Sequence, residues 1–325
     1  MTQFSRDGST EIVLVLGSSG LVGSSILTLL KSRKIPCVGL TRSDCDLRDA
    51  AETRAALEQV KPSKIILAAA KVGGILANQS KPVDFLLENL QIQLNVISAA
   101  HASSVDQLIF LGSSCIYPRN AAQPILESSL LTDKLESTNE PYAIAKIAGI
   151  KLCQSFNRQY GTDFRCLMPT NLYGPNDNFD PNQSHVIPGL INKFVTATST
   201  NANKVVLWGT GVALREFLHV DDMANACLAV METDKNRYQS LTSDGEIHIN
   251  VGSGEEISIK DLASKIATIV GYRGDVIFNS DKPDGTPRKL LDSHRIRQLG
   301  WQPEISLDTG LEMVIKKYLK NQGFK

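Results

Sequence analysis

The chain has 325 residues, enough for one large α/β unit or for a nucleotide-binding domain with a smaller lobe and a cleft between them. With 42% hydrophobic and 21% charged residues it has the composition of a packed globule, which excludes a disordered or fibrous class. Lys+Arg and Asp+Glu balance at 34 each with no long run of one sign, so no nucleic acid and no anionic membrane is expected as a partner, and any polyanion must be met by a local cluster.

The six cysteines (Cys37, Cys45, Cys115, Cys153, Cys166, Cys227) are scattered, form no C-x-x-C pair and have no zinc-site spacing, so they read as reduced thiols and no metal is expected. Met1 to Thr10 is polar, lacks the apolar stretch of a signal peptide and reads as a flexible tail. No apolar run approaches membrane-spanning length and the C-terminal Asn-Gln-Gly-Phe-Lys carries no retention or lipidation signal, so a cytoplasmic location is expected.

In chain order, Glu11 to Leu16 is a short apolar run stopping at Gly17, and Leu21 to Lys31 continues with helical spacing. Pro36 to Leu40 reads as a strand, Arg48 to Val60 as a helix and Lys64 to Ala70 as a buried strand. A long helix follows over Pro82 to His101, then an apolar strand over Gln107 to Leu111, a helix from Pro141 to Tyr160 and a strand over Arg165 to Met168. Strands and helices thus alternate, which predicts a Rossmann-like, doubly wound parallel sheet.

From Tyr173 the texture turns to Asn, Asp, Pro and Ser, the mark of a long loop into a second lobe. Residues 11–174 are expected to form the cofactor-binding domain and 175–325 mainly a smaller, discontinuous α/β substrate-binding lobe. Strand and helix pieces in Glu216 to Met231 and Glu246 to Ser258 return to the first domain on this reading. Thr196 to Asn203, a polar Thr/Ser/Asn patch, reads as a surface loop.

Gly17-Ser18-Ser19-Gly20-Leu21-Val22-Gly23 lies between a strand and a helix, the context in which such glycines bind a dinucleotide. The first glycine reverses the chain, the second admits the pyrophosphate and the third lets helix pack on strand, while the helix N-terminus offers N–H donors. At the end of the second strand, where NAD-preferring folds carry a carboxylate, the chain reads Leu40-Thr41-Arg42-Ser43. Arg42 can pair with a 2′-phosphate through its planar fork, which favours NADPH over NADH. The alternative is a solvated surface charge.

Tyr142 and Lys146 lie four apart, on one face of the helix that opens at Pro141, so an ammonium can bias a phenol that ordinarily titrates near about pH 10. Ser113 follows the strand ending at Leu111-Gly112, at the sheet edge where ligands bind, and its hydroxyl can share a substrate oxygen with Tyr142. Glycine turn, serine after a strand and Tyr-x-x-x-Lys in this order resemble the short-chain dehydrogenase/reductase superfamily, and the length matches its extended branch.

Within that branch, Gly112-Ser-Ser-Cys-Ile-Tyr-Pro118, Asn139-Glu-Pro-Tyr-Ala-Ile-Ala-Lys146, Met168-Pro-Thr-Asn-Leu-Tyr-Gly174 and Ser184-His-Val-Ile-Pro188 resemble the GDP-L-fucose synthases. Lys71-Val-Gly-Gly-Ile75, Arg215-Glu-Phe-Leu-His-Val-Asp-Asp222 and Lys282-Pro-Asp-Gly-Thr-Pro-Arg-Lys289 extend the likeness over nearly the whole chain. The resemblance implies conversion of GDP-4-keto-6-deoxy-D-mannose to GDP-L-fucose, by inversion at C3 and C5 and then NADPH-dependent reduction of the C4 ketone.

Inversion needs one group to remove a proton and another to return one on the opposite face; a thiol near about pH 8.5 and an imidazole near about 6.5 suit that task. The resemblance places Cys115 as base and His185 as acid. Sugar-nucleotide dehydratases put Thr-Asp-Glu where this chain has Ser113-Ser114-Cys115, so their acidic pair is missing here.

Around the cofactor the resemblance adds Leu21, Val22, Leu111, Gly112, Ser114, Lys146, Pro169, Thr170, Asn171, Leu172 and His185. At the GDP end it implies Asn171, Lys193, Trp208, Arg215, Asp284 and Lys289, with Arg215 and Lys289 as diphosphate partners. Lys193 stands where many members have Arg, Ala213 where Pro is common, and Ser18-Ser19 where many have His-Arg, which leaves more weight on Arg42. A homodimer is implied too, through the long helices near Pro82 to His101 and Pro141 to Tyr160. Rival readings are an NAD-dependent C4 epimerase, a 4,6-dehydratase, or a non-catalytic nucleotide sensor.

Overall fold

A computed structural model describes residues 11–181, 184–242, 246–282 and 285–323; the expected tail at 1–10 and Asp284 lie outside the described residues. The chain starts with β1 (Val13–Leu16), four buried apolar residues, and turns through the glycines into α1 (Leu21–Ser32) and β2 (Cys37–Leu40). α2 (Ala50–Val60) opens two residues later than its apolar spacing suggests, because the Asp49 side chain accepts the N–H groups of Ala51 and Glu52. β3 (Lys64–Leu67) follows, then the short α3 (Ile75–Ser80) and the long α4 (Pro82–Ala102), which has proline in its first turn. β4 (Gln107–Leu111), α5 (Glu140–Tyr160) and β5 (Phe164–Pro169) complete the first run, and α5 stops at Gly161 in the left-handed conformation.

Then come β6 (Asn171–Tyr173), α6 (Val186–Ser199), β7 (Lys204–Trp208) and β8 (Leu214–His219), followed by α7 (Val220–Glu232) and α8 (Lys235–Leu241). β9 (His248–Val251), β10 (Glu256–Ser258), α9 (Ile259–Val270), β11 (Asp275–Asn279), β12 (Arg288–Lys289), α10 (His294–Arg297) and α11 (Leu307–Asn321) end the described chain.

Six parallel strands in the order β2-β1-β3-β4-β5-β9 form the main sheet, a Rossmann-like doubly wound arrangement in which the chain reverses direction beside β1. One apolar cluster, with Leu57, Val96 and Ile150, covers one face of the sheet, and a second, with Ile26, Met223 and Cys227, covers the other. β1, β4, β5 and β9 are buried on both faces, which is why they are mostly apolar without alternation, while the edge strand β2 is half-buried. Arg165 in β5 is 1% exposed and fully engaged: it pairs with Asp163 and donates to the carbonyls of Val230 and Thr233, fixing the end of α7 to the sheet.

The smaller, discontinuous α/β lobe has β8 at its centre, paired with β6, β10 and β12, and a β7–β11 pair, around a third core containing Ile191, Phe194, Leu262 and Leu311.

Two expectations need correction. The strand expected over Lys64 to Ala70 ends at Leu67, and Ala68 to Ala70 line a cavity instead. The patch from Thr196 to Asn203 is not all loop, since α6 runs through Ser199. The hydroxyls of Ser199 and Thr200 bond back to the Thr196 carbonyl, and Ala197 packs into the lobe's core.

Candidate active site

Gly17 sits at φ +85°, and a Cβ there would stand 2.7 Å from the Ala69 backbone; a Cβ on Gly23 would fall 2.2 Å from the Gly17 carbonyl. Glycine at both places lets α1 approach the turn closely. No side chain caps α1 at Gly20, so the first N–H groups of the helix are left for a ligand.

In front of this turn, at the carboxyl ends of β1, β2 and β3, lies a cavity of about 770 Å³. It is large enough for a nucleotide cofactor and sits where the winding of the sheet reverses. Gly17, Ser19, Gly20 and Arg42 line it, as expected. Ser18, Leu21, Val22, Gly23, Leu111, Gly112, Ser114, Lys146, Pro169, Thr170, Asn171, Leu172 and His185 are not among its lining residues.

Several of its wall residues escaped sequence reading. Arg48 clasps Asp46 through two nitrogens at 2.9 and 2.5 Å and holds that carboxyl at about 2. Lys71 bridges Glu88 at 2.5 Å and Asp84 at 3.1 Å. With Arg48 and Lys71 so engaged, Arg42 and Lys81 are the wall cations that make no ion pair among the described residues, and Arg42 follows closely on β2.

β4 ends in the turn that holds Ser113 and Cys115. A Cβ on Gly112 would meet Met168 at 2.3 Å, so the chain leaves β4 pressed against β5. The Ser113 hydroxyl accepts the N–H of Cys115 at 3.4 Å and stands close enough to the phenol of Tyr142 to act on it. Burial and the neighbouring Cys115 push the Tyr142 hydroxyl up, and Ser113 pulls it back only in part. The expected downward bias from Lys146 is not among the influences on this hydroxyl.

Lys146, 4% exposed, donates to the Leu111 carbonyl at 2.7 Å and lies over the rings of Phe110 and Tyr142 at 4.8 and 5.9 Å. Burial lowers its ammonium to about 8. Cys115 is 7% exposed; burial raises its thiol, while Lys289, Ser113 and Lys146 pull the other way. The structure therefore brings Ser113, Cys115, Tyr142 and Lys146 together.

His185 lies at the N-terminal end of α6. It is reachable by solvent yet surrounded by protein, and that desolvation keeps its imidazole below the ordinary range. Among the described residues it makes no hydrogen bond to the cluster.

Arg215 in β8 and Lys289 in β12 are register partners, so two cations leave adjacent strands side by side. Trp208 is 45% exposed with the Lys282 ammonium 5.5 Å above its ring, and Lys193 donates to the Val206 carbonyl at 3.3 Å. Asn171 gives its amide to the Glu216 carbonyl at 2.8 Å.

A small second cavity beside Cys115 brings in Glu136, Asn139 and Lys289. Asn139 heads α5 without capping it, and its Oδ1 is buried with no hydrogen-bond partner among the described residues, an acceptor left for a hydroxyl. Nothing in the local sequence marks it, since asparagine at a helix start ordinarily serves as a cap.

The model of the NAD dependent epimerase/dehydratase family matches residues 13–252. The GDP-L-fucose synthase of Escherichia coli (strain K12) is 52% identical over 315 residues, covering 97% of this chain and 98% of that protein. The chain belongs to that family and, within it, to the GDP-L-fucose synthases. Among solved structures, a GDP-6-OMe-4-keto-L-xylo-heptose reductase from C. jejuni superposes with a TM-score of 0.89 at 33% identity over 96% of this chain and 98% of that one. A GDP-L-fucose synthetase from Naegleria fowleri bound to NADP gives 0.86 at 26% identity over 99% and 97%. Among the described residues, no helix is long and apolar enough to cross a membrane.

Proposed function

We propose that this enzyme converts GDP-4-keto-6-deoxy-D-mannose to GDP-L-fucose, inverting C3 and C5 and then reducing C4. The observation that carries the reading is a thiol, Cys115, seated inside the Ser113–Tyr142–Lys146 cluster at the end of β4. A plain ketone reductase has no use for a second acid–base group there.

Tyr142 and Ser113 donate to the C4 oxygen, and the negative charge they stabilise there makes the protons at C3 and C5 acidic. Cys115 takes a proton from one face of the ring and His185 returns one on the other. Tyr142, held protonated by burial, is the donor ready for the C4 oxygen when reduction follows. Lys146 keeps a positive charge beneath that exchange and is itself held by the Leu111 carbonyl.

NADPH suits the large cavity: Gly17, Ser19 and Gly20 would lie against the pyrophosphate and Arg42 against the 2′-phosphate. When bound it supplies the hydride for C4. The paired cations Arg215 and Lys289 would hold the sugar nucleotide's diphosphate, with Trp208, Lys193, Asn171 and Asp284 completing the GDP end. On this reading 11–174, rejoined by parts of 216–258, serves the cofactor, and 175–325 mainly serves the GDP-sugar.

A second copy of the chain would cover α4 and α5. Val83, Leu87 and Leu94 form one stripe on α4, 67, 50 and 54% exposed, and Ile144 on α5 is 45% exposed. Pairing these helices as a four-helix bundle gives a homodimer.

The test is to mix purified protein with GDP-4-keto-6-deoxy-D-mannose and NADPH, follow NADPH absorbance and identify the sugar by NMR. GDP-L-fucose is the expected product. A C4-reduced sugar with C3 and C5 unchanged would leave a reductase only, and no turnover would favour the epimerase, dehydratase or sensor readings.

A further inference from the structure

Lys289, expected at the diphosphate, stands beside Cys115. It lines the same small cavity as Cys115, with Arg119, Glu136, Asn139 and Arg288. Its place there is fixed from both sides. In β12 it is the register partner of Arg215. The chain that leaves the Ser113–Tyr117 turn is stitched to the same strand: Gln123 accepts the Leu290 N–H at 2.9 Å, and the Ile125 N–H donates to the Leu290 carbonyl at 2.8 Å. Asn250 ties that turn and that segment together, accepting the Tyr117 hydroxyl at 2.5 Å and donating to the Ile125 carbonyl at 2.9 Å. Turn and strand therefore keep Cys115 and Lys289 in one frame.

The other charges around the thiol are committed elsewhere. Arg119 pairs with Glu136 at 3.3 Å and Arg288 with Glu256 at 2.8 Å. Lys146, from α5, donates to the Leu111 carbonyl. Among the described residues Lys289 is within ion-pair distance of no carboxylate; Glu136 acts on it only at longer range.

We propose that Lys289 is the cation that eases ionisation of Cys115 against its burial, and so a positioning residue for proton abstraction in addition to any part it plays at the diphosphate. Burial alone would suppress the thiolate, and of the groups opposing burial Lys289 acts most strongly on Cys115. Cys115 is reciprocally the strongest influence keeping the buried Lys289 charged. In the catalytic step the thiolate sulfur accepts the proton from the sugar carbon, the C–H electron pair passes into the enolate, and the thiol returns its proton to solvent before the next turnover. No oxidant or reductant enters. The inference rests on Cys115 being the epimerisation base, but its primary readout, alkylation, does not use turnover.

The experiment measures alkylation of Cys115 by iodoacetamide against pH, without substrate, in the wild-type protein, Lys289→Met and Lys289→Arg, with the modified peptide quantified by mass spectrometry. Lys289→Met should slow alkylation of Cys115 at pH 7 by about tenfold or more and move the profile to higher pH, with Lys289→Arg within about threefold of wild type. Lys289→Gln serves the same comparison if the methionine variant does not fold. Superimposable profiles for the neutral variants and wild type would overturn the proposal. If the profile shifts while Cys115→Ser still inverts C3 and C5 at the wild-type rate, Lys289 does set the thiol and the assignment of Cys115 as base is what fails.

Discussion

Phe85 meets Tyr142 edge to face, with ring centroids 6.3 Å apart and planes at 87°. Phe85 also lines the large cavity and is 2% exposed, so one ring joins that cavity to the Tyr142 phenol. Phe85→Ala should destabilise the fold by about 3–5 kcal/mol through lost burial and the vacated volume. It should also lower kcat through a less constrained Tyr142. Denaturant unfolding and steady-state kinetics check the two effects separately; an unchanged kcat would mean that Phe85 is core alone.

Tyr142→Phe removes the proton donor yet keeps the ring packed. Reduction should fall by about 10²–10⁴-fold with little change in NADPH affinity. Single-turnover NADPH oxidation and a fluorescence titration of NADPH measure the pair of quantities.

Lys146 is expected to cost stability while serving catalysis. Its folded ammonium sits at about 8 against an ordinary 10.5, so the unfolded chain binds the proton more tightly. The penalty is complete below pH 8, about 3 kcal/mol at most, and stability recovers as pH rises from about 8 toward 10.5. Lys146→Met should therefore unfold at higher denaturant concentration than wild type at pH 7 while losing most activity. A less stable methionine variant would mean that the bond to Leu111 outweighs desolvation.

Arg42→Ala should raise the KM for NADPH by about 10–100-fold, the worth of one charge-assisted pair, and leave that for NADH nearly unchanged. Equal effects on both cofactors would place Arg42 away from the 2′-phosphate.

Replacing Leu94 by Glu puts a charge in the apolar stripe of α4 and should halve the mass seen by sedimentation, with the fold intact by circular dichroism. A wild-type monomer would remove the dimer from the account.

The main sheet was legible because its strands are short, apolar and separated by helices of clear spacing; β4 was bounded correctly at both ends. Gly17 and Gly23 were legible because only glycine satisfies their geometry. Polar hydroxyls misled at Thr196 to Ser199, where bonding back to helix carbonyls lets such residues close a helix. The lobe was harder to read because strands such as β7 alternate buried and exposed residues and pair with a distant partner, β11. The juxtaposition of Cys115 with Lys289 depends on β12 returning beside the segment around Ile125, a long-range pairing that no local pattern encodes. The orphaned oxygen of Asn139 likewise shows only once α5 is seen to start without it.

The central claim is that a single cluster inverts two carbons and reduces a third, with Cys115 as the base. The most direct measurement runs wild type and Cys115→Ser in D₂O with GDP-4-keto-6-deoxy-D-mannose and NADPH and reads the product by NMR. Wild type should yield GDP-L-fucose carrying deuterium at C3 and C5, while Cys115→Ser should still oxidise NADPH, with solvent deuterium at those carbons strongly reduced. Wild-type product without deuterium at C3 and C5, or full exchange in Cys115→Ser, would contradict the account.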